Sequence, residues 1–366
     1  MKKIFLHAYD QINLGDDMFI HTIVNRYSNV KFYMWSDNQN KMIFKGLKNL
    51  TVLNKDSLVL SLFQNIRASF AARYKMWWEQ RCDAVVYIGG SIFIEYDNWK
   101  QVLNWWEYEA ENRSFFVLGA NFGPYKSEEY QKKMLGIFNK MQDICFRDKF
   151  SYELFKECKP VRYAPDILFS YSIPKVPVKE KQLFVSVIDC ANKDEGANRL
   201  STHEKYYVQT MANLLKGYVK NGFSIVLASF SQIEGDENAI RKILEKMGNE
   251  HNNRISSLCY DGTNADKILM TLAESEYVIA SRFHATIFAI VAGRPVLPIV
   301  YSDKTIHVLE DIGLGLSYKD IREEQEITYR ESLDSMVTLS VSARENLKKN
   351  AQNHFYELDK RFFRKD

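Results

Sequence analysis

The chain lacks any stretch near the roughly 18 uncharged apolar residues that a membrane-spanning helix needs. Met1-Lys2-Lys3 is followed only by a short apolar run ending at Asp10, which predicts a first β-strand rather than a secretory signal. The five cysteines, Cys82, Cys145, Cys158, Cys190 and Cys259, are odd in number and scattered, with no CxxC and no Cys/His ligand spacing. That pattern argues against a disulfide framework and a zinc site, and it suits a reducing cytoplasm. Charge of one sign is also missing. The net charge is +3 over 366 residues, which gives no support to a nucleic-acid partner. There is no GxGxxG after the first strand and no GxxxxGK, so a dinucleotide and NTP hydrolysis have no positive sign. No carboxylate cluster spaced for a metal is visible, and none is expected.

What the chain does have is an alternation of strand and helix signals from end to end. Lys3–Tyr9, Val30–Trp35, Ala84–Ile88, Phe115–Gly119 and Ile144–Phe146 read as strands. Between them Asp16–Tyr27, Ser57–Arg81, Trp99–Asn112 and Glu128–Gln142 read as helices. Residues 172–181 carry two prolines and several charges, as an exposed linker would. The pattern then restarts with strands Leu183–Ile188, Phe223–Ala228, Ile255–Leu258, Tyr277–Ala280 and Val296–Val300, and with helices His203–Asn221 and Asp236–Met247. The expected fold is α/β, with two Rossmann-like doubly wound parallel-sheet domains of the glycosyltransferase-B type and a cleft between them. The expected boundaries are residues 1–171, a linker 172–181, a second domain 182–328 and a helical tail 329–366.

In such sheets ligands bind at the carboxyl ends of strands, and the polar residues concentrate there. After the first strand comes Asn13-Leu14-Gly15-Asp16-Asp17, where Gly15 permits a tight turn. Asp16 reads either as a helix cap or as a carboxylate that orients or deprotonates a sugar hydroxyl. Gly89-Gly90-Ser91 lets a ligand approach backbone N–H groups, or serves close strand–helix packing. Asn121 stands among glycines at the next strand end. Arg147 is a cation for an anionic group, or half of a structural Arg–Asp pair, and Asp166 reads as a cap or hinge contact. In the second half Arg282 and His284 sit where a strand gives way to a helix, and Lys304 follows the neighbouring strand. Three cation-capable side chains there predict an anionic ligand, most simply a phosphate with a carboxylate.

Aromatics are dense, at 14%. Trp99, Trp105, Trp106 and Tyr108 form either core or a sugar platform. Leu62, Phe63, Ile66, Phe70, Tyr74 and Trp77, with Arg67, Arg73, Lys75 and Arg81 between them, form either a domain helix or an interfacial membrane helix.

The motifs NLGDD, YIGGS, LGANFGP, FRDKFSYELF, YAPD and SRFHATIFAIVAGRPVLPIVYSDKT, in that order over some 300 residues, resemble the bacterial polysaccharide pyruvyl transferase family. The resemblance implies transfer from phosphoenolpyruvate, as co-substrate and with no cofactor, onto two hydroxyls of a sugar in a surface glycan or its precursor. The product would be a pyruvate ketal, with phosphate released. It implies that Arg282 and Lys304 bind the donor, that Arg147 reaches the same ligand when the cleft closes, that His284 is the acid–base residue, and that Asp16 lies on the acceptor side. The acceptor's carrier, a polyprenyl diphosphate included, and peripheral contact with the inner face of the cytoplasmic membrane stay open. A nucleotide-sugar glycosyltransferase and a non-catalytic saccharide-binding protein are the competing readings.

Overall fold

The computed structural model describes residues 1–37, 42–54, 67–194, 199–248 and 253–362. The chain divides into two compact units, the first made of Met1–Gln11, Asp16–Ile167 and Asn350–Asp366, the second of Ile12–Gly15 and Leu168–Lys349.

The first unit holds a seven-stranded sheet, β1 (Lys3–His7), β2 (Lys31–Ser36), β3 (Leu50–Asn54), β4 (Ala84–Ile88), β5 (Phe115–Ala120), β6 (Asp143–Phe146) and β7 (Val161–Tyr163). Their order is β3-β2-β1-β4-β5-β6-β7, and every pairing is parallel. Parallel strands need crossovers, and helices Leu14–Arg26, Arg67–Glu79, Trp99–Asn112 and Glu128–Phe138 supply them. A central parallel strand is covered on both faces, which is why β5 is the unbroken apolar run Phe115-Phe116-Val117-Leu118 and is buried throughout. Trp106 and Ala110 of the helix Trp99–Asn112 enter the core beside Phe93, Phe115 and Phe138. The last residues close the same unit: Asp359 accepts from Arg26 at 2.7 Å and from the Tyr27 hydroxyl at 2.7 Å.

The second unit repeats the design with β8 (Lys179–Ser186), β9 (Ser224–Ser229), β10 (Ile255–Cys259), β11 (Ser275–Ala280), β12 (Val296–Val300) and the two-residue β13 (Lys319–Asp320). The order is β10-β9-β8-β11-β12-β13, again all parallel. Its core gathers Leu183, Val185, Ile225, Leu227, Ile279 and Leu297 from the sheet under Tyr207, Met211 and Leu215 of the helix Glu204–Lys220. Both sheets reverse direction beside their first strand, at β1/β4 and at β8/β11. Such a switch point leaves a crevice at the strand ends, where the loops diverge.

Of the aromatic stretches, Trp106 is buried and packs on Phe93 and Tyr87. Trp105 packs edge-on to Phe115, so for this pair the core reading holds. The basic amphipathic stretch is described as the helix Arg67–Glu79, with Trp78 against Tyr33 at 4.6 Å, whereas Leu62, Phe63 and Ile66 lie outside the described residues. Among the described residues no helix is long and apolar enough to cross a membrane.

Candidate active site

In the second unit the carboxyl end of β11 turns directly into the helix Phe283–Ala292, with Arg282 as its N-cap residue in extended geometry. The turn is pinned from below. The Arg282 N–H donates to Ser186 Oγ at 3.2 Å, and Ser281 Oγ meets the Tyr207 hydroxyl at 2.9 Å. Arg282 is 6% exposed. A buried guanidinium must be paired, and here Asp236, at the first turn of the helix Asp236–Met247, receives Nε at 3.0 and 3.1 Å and also Nη2. Asp236 is itself fixed by the N–H groups of Phe230 (2.8 Å) and Ser231 (3.0 Å).

The other edge of the guanidinium meets Glu234, which is also gripped by Lys193. Asn13 Nδ2 donates to the same carboxylate at 3.2 Å. The segment Ile12–Gly15 is therefore bound into this unit. The Leu14 N–H donates to the Phe230 carbonyl at 2.9 Å, and the Asn13 side chain accepts the Gly15 N–H at 3.1 Å. Gly15 lies so close to His284 that a Cβ there would stand 1.7 Å from Nδ1. No residue with a side chain fits this approach, which explains the glycine physically. Two motifs some 270 residues apart in sequence thus meet at one imidazole.

The electrostatics follow from that packing. Burial opposes the Arg282 cation, but Asp236 and Glu234 outweigh it and its pKa is raised. Burial also opposes the Glu234 charge, yet Arg282 and Lys193 hold its pKa down at about 2. The sequence reading expected a cluster of cations here. The structure also sets two carboxylates on Arg282, because a buried guanidinium cannot stand without counter-charge. Lys193, Glu234 and Asp236 were missed. The one available signal was Glu234-Gly235-Asp236 a few residues after an apolar strand, a loose echo of Leu14-Gly15-Asp16. Lys304 stands in the first turn of the helix Asp303–Asp311, half-buried at the carboxyl end of β12.

The first unit builds a second constellation. Arg147 follows β6, is 4% exposed, and donates to Asp166 Oδ2 at 3.1 Å and Asn121 Oδ1 at 2.8 Å. Ser91 Oγ reaches the same Asn121 oxygen at 3.3 Å, and the Asn121 N–H donates to the Gly90 carbonyl at 2.8 Å. Gly90 presses on the guanidinium, since a Cβ there would come within 2.5 Å of Cζ. The arginine's carboxylate is Asp166, expected as a cap or hinge contact, whereas the adjacent Asp148 caps the helix Lys149–Phe155 by accepting from Ser151 N at 2.7 Å. Gly89-Gly90-Ser91, Asn121 and Arg147 thus meet at the ends of adjacent strands β4, β5 and β6. Asp16 stands in the first turn of the helix Leu14–Arg26. Burial first, then the charges of Asp16 and Asp10, push the Tyr87 phenol up to about 12.

One acidic cluster was not legible in the sequence. His7, Glu79 and Glu109 bring a nitrogen and two carboxylate oxygens within 4.8 Å of one another inside the first unit. Glu79 lies 3.7 Å from Lys75, and Arg113 also bears on both carboxylates. Two cations already balance the two acids, so the cluster reads as a buried charge network rather than as a cation site. Burial and Glu79 push Glu109 up to about 7, and burial and Lys75 push His7 down to about 4.

Comparison with known proteins agrees with this architecture. The fold is shared with UDP-GlcNAc 2-epimerase from Neisseria meningitidis, solved bound to UDP-GlcNAc, at a TM-score of 0.62 and 10% identity over 98% of this chain and all of that one. It is also shared with Anabaena HepE, solved with UDP and glucose, at a TM-score of 0.55 and 11% identity over 98% of this chain and 95% of that one. These likenesses establish a glycosyltransferase-B-type fold of two parallel-sheet domains. Among sequences, the amylovoran biosynthesis protein AmsJ of Erwinia amylovora is 19% identical over 259 residues, which span 66% of this chain and 62% of that protein. The profile of the family described as polysaccharide pyruvyl transferase matches residues 10–303, from the loop that carries Asn13 and Gly15 to the strand end before Lys304. The chain belongs to the polysaccharide pyruvyl transferase family.

Proposed function

We propose that the protein transfers the carbon skeleton of phosphoenolpyruvate onto two hydroxyls of one sugar in an exopolysaccharide or its precursor, forming a cyclic pyruvate ketal and releasing phosphate. One observation carries this reading: Gly15 is packed on His284, two residues from a guanidinium oriented by Asp236. That arrangement sets a titratable group next to a fixed cation, as a reaction needing both an acid and anion recognition requires.

In the proposed reaction the His284 imidazolium gives its proton to the methylene carbon of the donor. C2 becomes oxocarbenium-like, and the cations of the second unit hold the carboxylate and phosphate. A sugar hydroxyl adds to C2, and a carboxylate, assigned to Asp16, takes its proton. The second hydroxyl then forms the second C2–O bond as the bond from C2 to the phosphate oxygen breaks; its proton returns to His284, and Asp16 gives its own to the released phosphate. Arginine and lysine neutralise the leaving group, so the reading includes no metal and no cofactor. Arg282 and Lys304 are assigned to the donor. Gly89, Gly90, Ser91 and Asn121 are assigned to recognition in the first unit, and Arg147 to the same donor. AmsJ is named for the biosynthesis of an exopolysaccharide, and that name supports a surface-glycan acceptor. Unpaired cysteines suit a cytoplasmic site of action.

The test is donor choice. Phosphoenolpyruvate is expected to raise the melting temperature, and UDP-glucose and UDP-GlcNAc are expected to leave it unchanged. Stabilisation by the UDP-sugars alone would instead support a nucleotide-sugar glycosyltransferase.

A further inference from the structure

The two carboxylates on Arg282 are not equivalent. Asp236 is fully buried and anchored by two backbone N–H groups, so it is a permanent part of the scaffold that aims the guanidinium. Glu234 sits in the turn before that helix with its side chain 21% exposed, and its oxygens are held by three side chains: Arg282, Lys193 and Asn13. A guanidinium, an ammonium and an amide converging on one partly exposed carboxylate have the composition of an anion-binding site. The carboxylate they hold belongs to the chain itself.

We propose that Glu234 fills the anion site of the second unit as an internal stand-in, and that a phosphate- or carboxylate-bearing ligand binds by displacing it from Arg282, Lys193 and Asn13. The inference rests on the proposed donor only for the ligand's identity. It adds Lys193 and Asn13 to the groups that hold the anion and makes Glu234 a competitor for them. The local charge sum gives the reason. Arg282 and Lys193 balance Asp236 and Glu234, so moving Glu234 aside leaves one net positive charge facing the incoming anion. At neutral pH Glu234 is ionised, so the competition is between two anions. Lys193 is 11% exposed and half-wrapped by the chain, its ammonium 5.9 Å from the centre of the Tyr301 ring.

Glu234→Gln keeps the shape and removes the competing charge. Titration of the whole protein with inorganic phosphate and with phosphoenolpyruvate is expected to show at least tenfold tighter binding of both in Glu234→Gln. Lys193→Met should weaken both at least tenfold, and Lys193→Met also decides the matter if Glu234→Gln fails to fold. Unchanged or weaker binding in a folded Glu234→Gln, or unchanged binding in Lys193→Met, overturns the inference. If phosphate follows this pattern while phosphoenolpyruvate binds to neither variant nor the parent, the stand-in role holds and the donor assignment falls. If phosphoenolpyruvate binds equally to all three proteins, the donor assignment holds and the stand-in role falls.

Discussion

Arg147 follows β6, two strands past β4 in its sheet, and Arg282 follows β11, beside the switch point of the other, and the two are equipped differently. Each follows a buried strand, each is nearly inaccessible, and each is backed by a buried aspartate. Around Arg147 stand an asparagine amide, a serine hydroxyl on that same asparagine, and a glycine backbone. Around Arg282 they are ionisable or charged: Glu234 and Lys193 at the guanidinium, and His284 two residues on. In the proposed reaction Asn121 and its neighbours recognise the acceptor, and His284 supplies the acid. Sugar hydroxyls suit the first environment, and an acid-catalysed reaction of an anion suits the second.

The largest effect should separate these roles. His284→Ala is expected to lower kcat by about 10²–10⁴-fold with little change in donor affinity, because acid–base assistance acts in the transition state. Asn121→Ala should raise the acceptor KM and leave kcat nearly intact. If the two variants exchanged phenotypes in steady-state kinetics, the division of labour would be reversed.

Stability gives a second, smaller contrast. Removing one member of a buried ion pair costs about 3–5 kcal/mol. Asp236→Ala, which strips acceptors from Arg282 and from two backbone N–H groups, should fall at the upper end of that range. Asp166→Ala should fall at the lower end. Urea unfolding of the two variants checks the order, and equal losses would show that the extra contacts of Asp236 contribute nothing.

The smallest effect belongs to the first unit alone. The Glu109 carboxyl is raised from 4.5 to about 7, so the folded state holds its proton more tightly than the unfolded chain does. Its stabilising contribution is complete below about pH 4.5 and is lost as pH rises through about 7. His7, lowered from 6.5 to about 4, runs the other way, stabilising above pH 6.5 and losing that contribution as pH falls. Glu109→Gln removes only the first term. The melting temperature of the variant relative to the parent should therefore climb between pH 5 and pH 7.5. A difference that stays flat with pH would place Glu109 outside this network.

Much of this was legible in the sequence, for a definite reason. Parallel α/β folds write each strand as a short apolar run and place their polar residues at its end, so Gly15, Gly90, Asn121, Arg147, Arg282 and His284 all stood out locally. Strands too short to show a pattern did not, such as Val161–Tyr163 and Lys319–Asp320; neither did the edge strand Leu50–Asn54. Charge pairing is the other blind spot. Nothing near Arg282 in sequence announces Asp236, nothing near Arg147 announces Asp166, and His7, Glu79 and Glu109 are gathered by three different elements. The convergence of Gly15 on His284 was not legible, because a glycine's reason for being small lies in what it touches.

The most direct test of the account is phosphate release from phosphoenolpyruvate, assayed with and without a panel of hexose acceptors in free, nucleotide-linked and polyprenyl-diphosphate-linked form. The account predicts release that depends on one acceptor class and yields an acid-labile ketal on that sugar in equal amount. No release with any acceptor, together with liberation of UDP from a UDP-sugar, would contradict it.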